Sequence, residues 1–169
     1  MNKPDSTEYA PYFDKYISLA PEGEIVARLD EQIESTLSLI RGLSEAQGDH
    51  RYAPDKWSVK EVIGHLIDTE RIFAYRALRF ARNDATPLSG FDENNFVANA
   101  DFGSRSLANL AEEFEYTRRS HIYLFKNLDG EASLRRGVSN NNELSVRAIA
   151  YILAGHELHH VEILRTRYL

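Results

Sequence analysis

The sequence predicts an all-α protein folded as a single four-helix bundle. Four segments repeat apolar residues every three or four positions, which is the period of one helix face. Proline, glycine or capping residues mark the ends of most of these segments. At 169 residues and 43% hydrophobic content, the chain is long enough for one well-filled core. We therefore predict one domain over residues 1–169.

The first predicted helix is opened by Pro21 and ends near Gly42. Its apolar face consists of Ile25, Val26, Leu29, Ile33, Leu37 and Ile40. The residues before Pro21 are rich in aromatic side chains, which predicts a segment that packs on the bundle. These side chains are Tyr9, Tyr12, Phe13 and Tyr16.

The second predicted helix follows a connection over residues 44–55. Ser58 and Glu61 fit a capping box, and the helix is predicted to run to about Ala81. Its apolar stripe consists of Val59, Val62, Ile63, Leu66, Phe73, Ala77 and Phe80.

The pattern lapses over residues 83–104, where proline, glycine and asparagine interrupt it. A connection this long predicts either a lid or pocket wall, or an ordered crossover between helices. The third helix is predicted from Leu107 to near Asn127. The asparagine turn at 140–142 then precedes the fourth, with Ser145 as its N-cap. The long second connection favours a crossover in the bundle.

Composition excludes several classes of protein. The net charge of −6 leaves no broad positive surface for nucleic acid. No apolar run approaches the length of a membrane span, and no signal peptide is recognisable, so a cytoplasmic location is expected. Without cysteine, any thiol chemistry must use a thiol from the substrate. Arg76, Arg79 and Arg82 are predicted to form a solvated helix face, with an anion-binding surface as the alternative.

Two histidines occupy consecutive core positions of the fourth helix. His156 and His160 continue the apolar seam of Val146, Ile149 and Leu153. Residues four apart lie about 40° apart around a helix, so both imidazoles project from one face. A structural pair is the simpler interpretation for buried histidines, but two neighbouring rings in a core favour a shared divalent cation.

The third ligand is predicted from upstream in the chain. His156-Glu157-x-x-His160 matches the zincin signature, but zincins take a third ligand from well downstream, where only Glu162 follows. His65 is the best candidate because it lies beside the apolar stripe of the second helix. The other three histidines are placed outside the site, His50 in a loop, His121 on a helix surface and His159 turned away from His156.

The two motifs together resemble the DinB (YfiT-like) superfamily. The resemblance rests on the stretch from Lys56 to Glu70 and on Gly155-His156-Glu157-Leu158-His159-His160. It implies a four-helix bundle that binds a divalent metal through His65, His156 and His160. It also implies activity as a thiol S-transferase or a hydrolase on a small molecule, with a low-molecular-weight thiol as one substrate, and a homodimer.

Three imidazoles leave an open coordination position, as in catalytic metal sites. Zinc is the first choice, with nickel, manganese or iron able to use the same ligands. Asp68, Glu61 and Glu157 are candidates to accept hydrogen bonds from the ligand rings, although each is expected to be an exposed helix carboxylate. The alternative function is a non-catalytic bundle in which the metal joins the second and fourth helices.

Overall fold

Four long helices form the bundle in the computed structural model, which describes residues 1–169. The all-α fold class is therefore confirmed, apart from one small hairpin. In chain order the helices are α1 (Asp14–Ile17), α2 (Ile25–Arg41), α3 (Glu45–Asp49), α4 (Val59–Ala81), α5 (Glu93–Ala98), α6 (Leu107–Lys126), α7 (Gly130–Leu134) and α8 (Val146–Ile163). The strands β1 (Arg136–Ser139) and β2 (Asn142–Ser145) lie between α7 and α8.

Capping residues set most of the helix boundaries as predicted. The Ser58 side chain accepts a hydrogen bond from the backbone N–H of Glu61, and the Glu61 carboxylate accepts one from the backbone N–H of Ser58, which completes the capping box of α4. The Ser145 side chain caps α8 by accepting a hydrogen bond from the backbone N–H of Ala148. The predicted start of the first helix at Pro21 was wrong. Gly23 has a φ of +109°, which no helix accommodates, so α2 begins four residues later.

The order of the helices around the bundle is not their order in the chain. Helix α2 packs mainly on α6 and α8, and α4 packs on the same two helices. The first two long helices are therefore diagonal to each other. The long connection between α4 and α6 makes the predicted crossover.

A β-hairpin stands where only a turn was predicted. β1 and β2 pair antiparallel, with Ser139 opposite Asn142. Asn140 and Asn141 form the turn with φ values of +50° and +60°, a left-handed conformation that asparagine tolerates better than most residues. Strands of four residues carry too few side chains for alternation to be read from the sequence.

The connection over residues 83–104 is held against this hairpin. Leu88 donates its backbone N–H to Val138 and accepts one from Asn140, each at 2.9 Å. Farther along, α5 and a 3₁₀ turn at Phe102–Ser104 pack against α4, where Phe102 lies over Gly64. The connection is thus an ordered crossover that also contributes a wall to the cavity described below.

The aromatic N-terminal segment packs on the bundle as predicted. Tyr16 and Ile17 of α1 are buried, and α1 lies directly on α8. The approach is close because position 155 is glycine: a Cβ there would lie 1.8 Å from the carbonyl oxygen of Tyr16. No helix combines the length and the apolar character that crossing a membrane requires.

Candidate metal centre

The structure brings together the three histidines that the sequence singled out. His65 lies on α4, and His156 and His160 lie one turn apart on α8. The Nε2 atom of His156 is 3.1 Å from the Nε2 atom of His65 and 3.1 Å from that of His160. Candidate ligand nitrogens of all three rings lie within 4.8 Å of one another. The histidines therefore converge on one point between the two helices.

Burial keeps these rings neutral. His65 and His156 are each 7% exposed, and His160 is half-buried. Loss of hydration lowers the pKa of His65 to about 4 and, with a smaller contribution from neighbouring histidines, that of His160 to about 3. The same causes place the pKa of His156 well below its usual range. All three rings are thus neutral near pH 7, which is the form that binds metals.

The donor set fits a divalent cation. Tetrahedral ligands at about 2.0 Å from a zinc ion lie about 3.3 Å from one another, close to the separations between the Nε2 atoms. A neutral imidazole carries one N–H and one lone pair, so each ring can turn its lone pair to the clustered nitrogen and keep its N–H on the other. A cation at their centre would satisfy those lone pairs together.

Neighbouring side chains hold the rings in place. The Trp57 indole lies against His65, with ring centroids 4.8 Å apart. Tyr16 packs edge-on to His156 at 5.2 Å. The Oγ1 atom of Thr69, one turn along α4, lies 3.5 Å from Nδ1 of His65. Neither Trp57 nor Tyr16 was predicted as a site residue, because both lie outside the helical histidine pattern.

The three predicted carboxylate partners do not contact the histidines. Glu61 caps α4 and pairs with Arg51, and Asp68 faces Arg71 at 3.9 Å. All three were also expected to be exposed, which was wrong: Glu61 and Asp68 are half-buried, and Glu157 is only 1% exposed. Helix α8 is buried on more than one face, so a position beside the metal-facing seam lies in the core as well.

Glu157 belongs to a buried network that joins all four long helices. The Arg118 guanidinium of α6 donates to Glu157 at 2.6 Å and to both oxygens of Glu70 on α4, each at 2.9 Å. Gln32 of α2 donates to the same Glu157 oxygen at 2.5 Å. Burial opposes ionisation, but the Arg118 charge and a second contact from His121 leave the pKa of Glu70 lowered. The sequence offered no signal for this network, because its members lie up to 125 residues apart.

The histidine cluster opens into a cavity with a volume of about 510 Å³. Helices α1, α4 and α8, the connection after α4 and the hairpin all contribute to its wall. Apolar side chains lining it include Phe13, Phe73, Phe91, Leu144 and Ile152. His159 also lines the cavity, half-buried against Tyr16, but it is not one of the converging histidines. His50 is exposed, and His121 contacts Glu70, so both lie outside the cluster.

Comparison with known proteins identifies the family. The family model of the DinB superfamily matches residues 28–164. This range contains all three clustered histidines, the whole of α4, α6 and α8, and α2 from Arg28 onward. The chain belongs to the DinB superfamily. Among solved structures, this DinB protein is similar to YfiT from Bacillus subtilis, with a TM-score of 0.72 and 18% sequence identity. The similarity covers 96% of this chain and 91% of that chain.

YfiT is described as a probable metal-dependent hydrolase with an unusual four-helix bundle topology. At this level of identity the similarity establishes the shared fold. Among curated proteins, no sequence matches this one significantly.

Proposed function

We propose that this protein is a metal-dependent enzyme that acts on a small molecule in the cavity beside the histidine cluster. The observation that carries the proposal is the convergence of three neutral imidazoles at the wall of a cavity of about 510 Å³. A site of this kind combines metal ligands with space for a substrate.

His65, His156 and His160 would hold the cation, with zinc as the first choice and nickel, manganese or iron as alternatives. Such a cation acts as a Lewis acid and lowers the pKa of a water or thiol that it binds. The protein's own contribution is positional. Trp57 and Tyr16 fix the planes of two ligand rings, and the buried position of the cluster keeps all three rings in their neutral form.

A catalytic role is favoured over a purely structural one by the number of ligands. Structural zinc sites are usually closed by four protein ligands. No fourth histidine or carboxylate joins the three clustered residues, and the chain has no cysteine. A cation held there would keep one position for an exogenous ligand from the cavity. In the alternative function, a non-catalytic bundle, the metal would only join α4 to α8.

The reaction proposed is hydrolysis or transfer of a low-molecular-weight thiol to an electrophile. Hydrolysis is supported by the fold shared with YfiT, which is a probable metal-dependent hydrolase. Thiol transfer is consistent with a chain that lacks cysteine, because the thiol would then come from the substrate. A cytoplasmic location and a homodimer also stay predictions. Light scattering on the purified protein tests whether it is a dimer.

Metal analysis of protein purified without a histidine tag tests the ligand assignment. We expect about one divalent ion per chain in the wild type and in His159→Ala, and loss of that ion in His160→Ala. His159→Ala is the matched control because it removes the same side chain from the next position of the same helix, also at the cavity wall. Stoichiometric metal in a folded His160→Ala variant would contradict the assignment.

A screen of activity then distinguishes a catalytic metal from a purely structural one. The metal-loaded protein is assayed with small thiols and a generic electrophile, and with a panel of activated esters. We expect turnover in one of the two assays that disappears on chelation and returns when the metal is restored. A protein that binds metal stoichiometrically, loses thermal stability on chelation and turns over neither panel would support the structural alternative.

A further inference from the structure

Arg76 is a buried cation at the cavity wall. It lies on α4 and is only 5% exposed, which makes the prediction of a solvated Arg76 wrong. Six charged side chains are buried in this protein, and five of them form ion pairs: Glu8, Lys60, Glu70, Arg118 and Glu157. Arg76 is the exception, with no ion pair to any carboxylate.

The contacts of Arg76 leave most of its donors free. One guanidinium nitrogen, Nη2, donates to the backbone oxygen of Ser89 at 3.1 Å, and this is its only hydrogen bond. Loss of hydration, with no compensating negative charge, lowers its pKa from the usual value. Because an isolated buried charge is costly, a position like this is usually paired or used to bind a ligand.

Two aromatic rings orient the guanidinium. Its central carbon lies 4.7 Å from the Phe73 ring centroid and 5.8 Å from that of Phe91. Contacts of this kind use the face of the guanidinium and leave its N–H edge free for hydrogen bonds. The planar edge of an arginine matches the two oxygens of a carboxylate.

Arg76 and the histidine cluster face the same cavity from the same helix. Arg76 lies eleven positions after His65, which is about three helical turns, about 16 Å along the axis and about 20° around it. Thr69 and Phe73 fill the stripe between them, and all four residues line the cavity. The far walls include Leu144 and Ile152. The cavity wall thus carries a buried cation, the histidine cluster about three helical turns away, and both apolar and polar side chains elsewhere.

We propose that Arg76 binds the carboxylate of an elongated, partly apolar small molecule whose reacting end lies at the histidine cluster. The placement of the reacting end at the histidine cluster rests on the proposed function. The binding of the carboxylate by Arg76 does not. A carboxylate suits the site better than a dianion, because a single guanidinium supplies one positive charge. The other charged side chains at the cavity, Lys15 and Glu93, are exposed and of opposite sign.

The test compares two probes of the same size and shape, the anionic 4-phenylbutyrate and the neutral 4-phenylbutanamide. Their affinities are measured by calorimetry on metal-free protein in the presence of a chelator, so that the carboxylate has no metal to bind. For the wild type we expect the carboxylate to bind at least about tenfold more tightly than the amide. The ratio should fall to about twofold or less in Arg76→Gln.

Arg82→Gln is the matched control. It removes the same charge from the end of the same helix, but Arg82 is exposed and does not line the cavity. The tenfold preference should therefore persist. If Arg76 served only to hold Ser89, Arg76→Gln would lower the melting temperature and leave the ratio unchanged, which would overturn the proposal.

Two further outcomes would also overturn it: equal affinity of the wild type for both probes, or no saturable binding of the carboxylate up to about 10 mM. These wild-type results do not depend on the variant folding. Arg76→Lys, which keeps the charge but not the planar edge, should retain a reduced preference for the carboxylate. Because every measurement is made without metal, failure here is separate from failure of the metal assignment.

Discussion

The Nη1 atom of Arg118 donates a hydrogen bond of 2.6 Å to Glu157, the residue that follows the central histidine of the cluster. Arg118 also binds both oxygens of Glu70, five residues after His65 on α4. A single guanidinium thus links the two helices that supply the histidines. Burial alone would lower the pKa of Arg118, but the two carboxylates raise it, so the side chain stays charged in the core.

Replacing Arg118 by alanine should destabilise the protein strongly. The change leaves two buried carboxylates without their counter-charge, which typically costs about 3–5 kcal/mol. Arg119→Ala is the control, since Arg119 is 41% exposed and pairs with Glu34 and Glu115 at the surface, where solvent screens the ion pairs and the expected loss is much smaller. Urea unfolding measures both changes. If Arg118→Ala loses no more free energy of unfolding than Arg119→Ala, the buried network is not formed.

Gly155→Ala should disturb α1 and, through it, the metal centre. The new Cβ would overlap the backbone oxygen of Tyr16, so α1 must move away from α8. Overpacking of this kind costs about 1–3 kcal/mol. Since Tyr16 packs against His156, weaker metal binding should accompany the loss of stability. Thermal unfolding and metal titration measure the two effects.

Gly130→Ala is the control for that substitution. No atom lies within 4 Å of a Cβ built at Gly130, so a change within about 0.5 kcal/mol is expected. Equal behaviour of the two variants would contradict the close packing of α1 on α8.

Trp57 should report metal binding directly. It is the only tryptophan in the sequence, and its ring centroid is 4.8 Å from that of His65. Nickel or cobalt, whose open d shells quench nearby fluorophores, should reduce its fluorescence saturably at one equivalent, and a chelator should restore it. Zinc should compete with nickel without quenching to the same degree. His65→Ala should abolish the quenching, whereas His50→Ala, which replaces an exposed histidine, should preserve it. Saturable quenching in His65→Ala would place the metal elsewhere.

The ion pair between Glu8 and Arg147 should make stability fall in acid. Burial opposes ionisation of Glu8, but hydrogen bonds from Arg147, Ser145 and the backbone of Asp5 outweigh it and lower the pKa to about 2 from 4.5. Since the folded-state value is depressed, the stabilisation is present above pH 4.5 and is lost as the pH falls towards 2. Its upper bound is about 3 kcal/mol.

The comparison of Glu8→Gln with the wild type across this range checks the ion pair. We expect the variant to be less stable at pH 7 and the difference to shrink steadily below pH 4.5. Glu22→Gln, at an exposed position with no ion pair, should track the wild type throughout. A difference between Glu8→Gln and the wild type that stays constant from pH 7 to pH 3 would exclude the ion pair as its cause.

The sequence by itself determined the four long helices and the three clustered histidines. Helix periodicity and caps are local, so Ser58, Ser145 and the four-residue spacing of His156 and His160 could be read directly from the chain. His65 could be chosen because it lies beside an apolar stripe of a long helix. The family resemblance agreed with each of these inferences.

Only the tertiary structure decided how the surroundings of the site are built. The ion pairs of Arg118, the close approach of Tyr16 to Gly155 and the unpaired burial of Arg76 all depend on elements distant in the chain. A helical pattern gives the direction of a side chain but not what lies opposite it. The helix order around the bundle and the hairpin against the long connection supply those partners, and burial then fixes the charge and contacts of each residue.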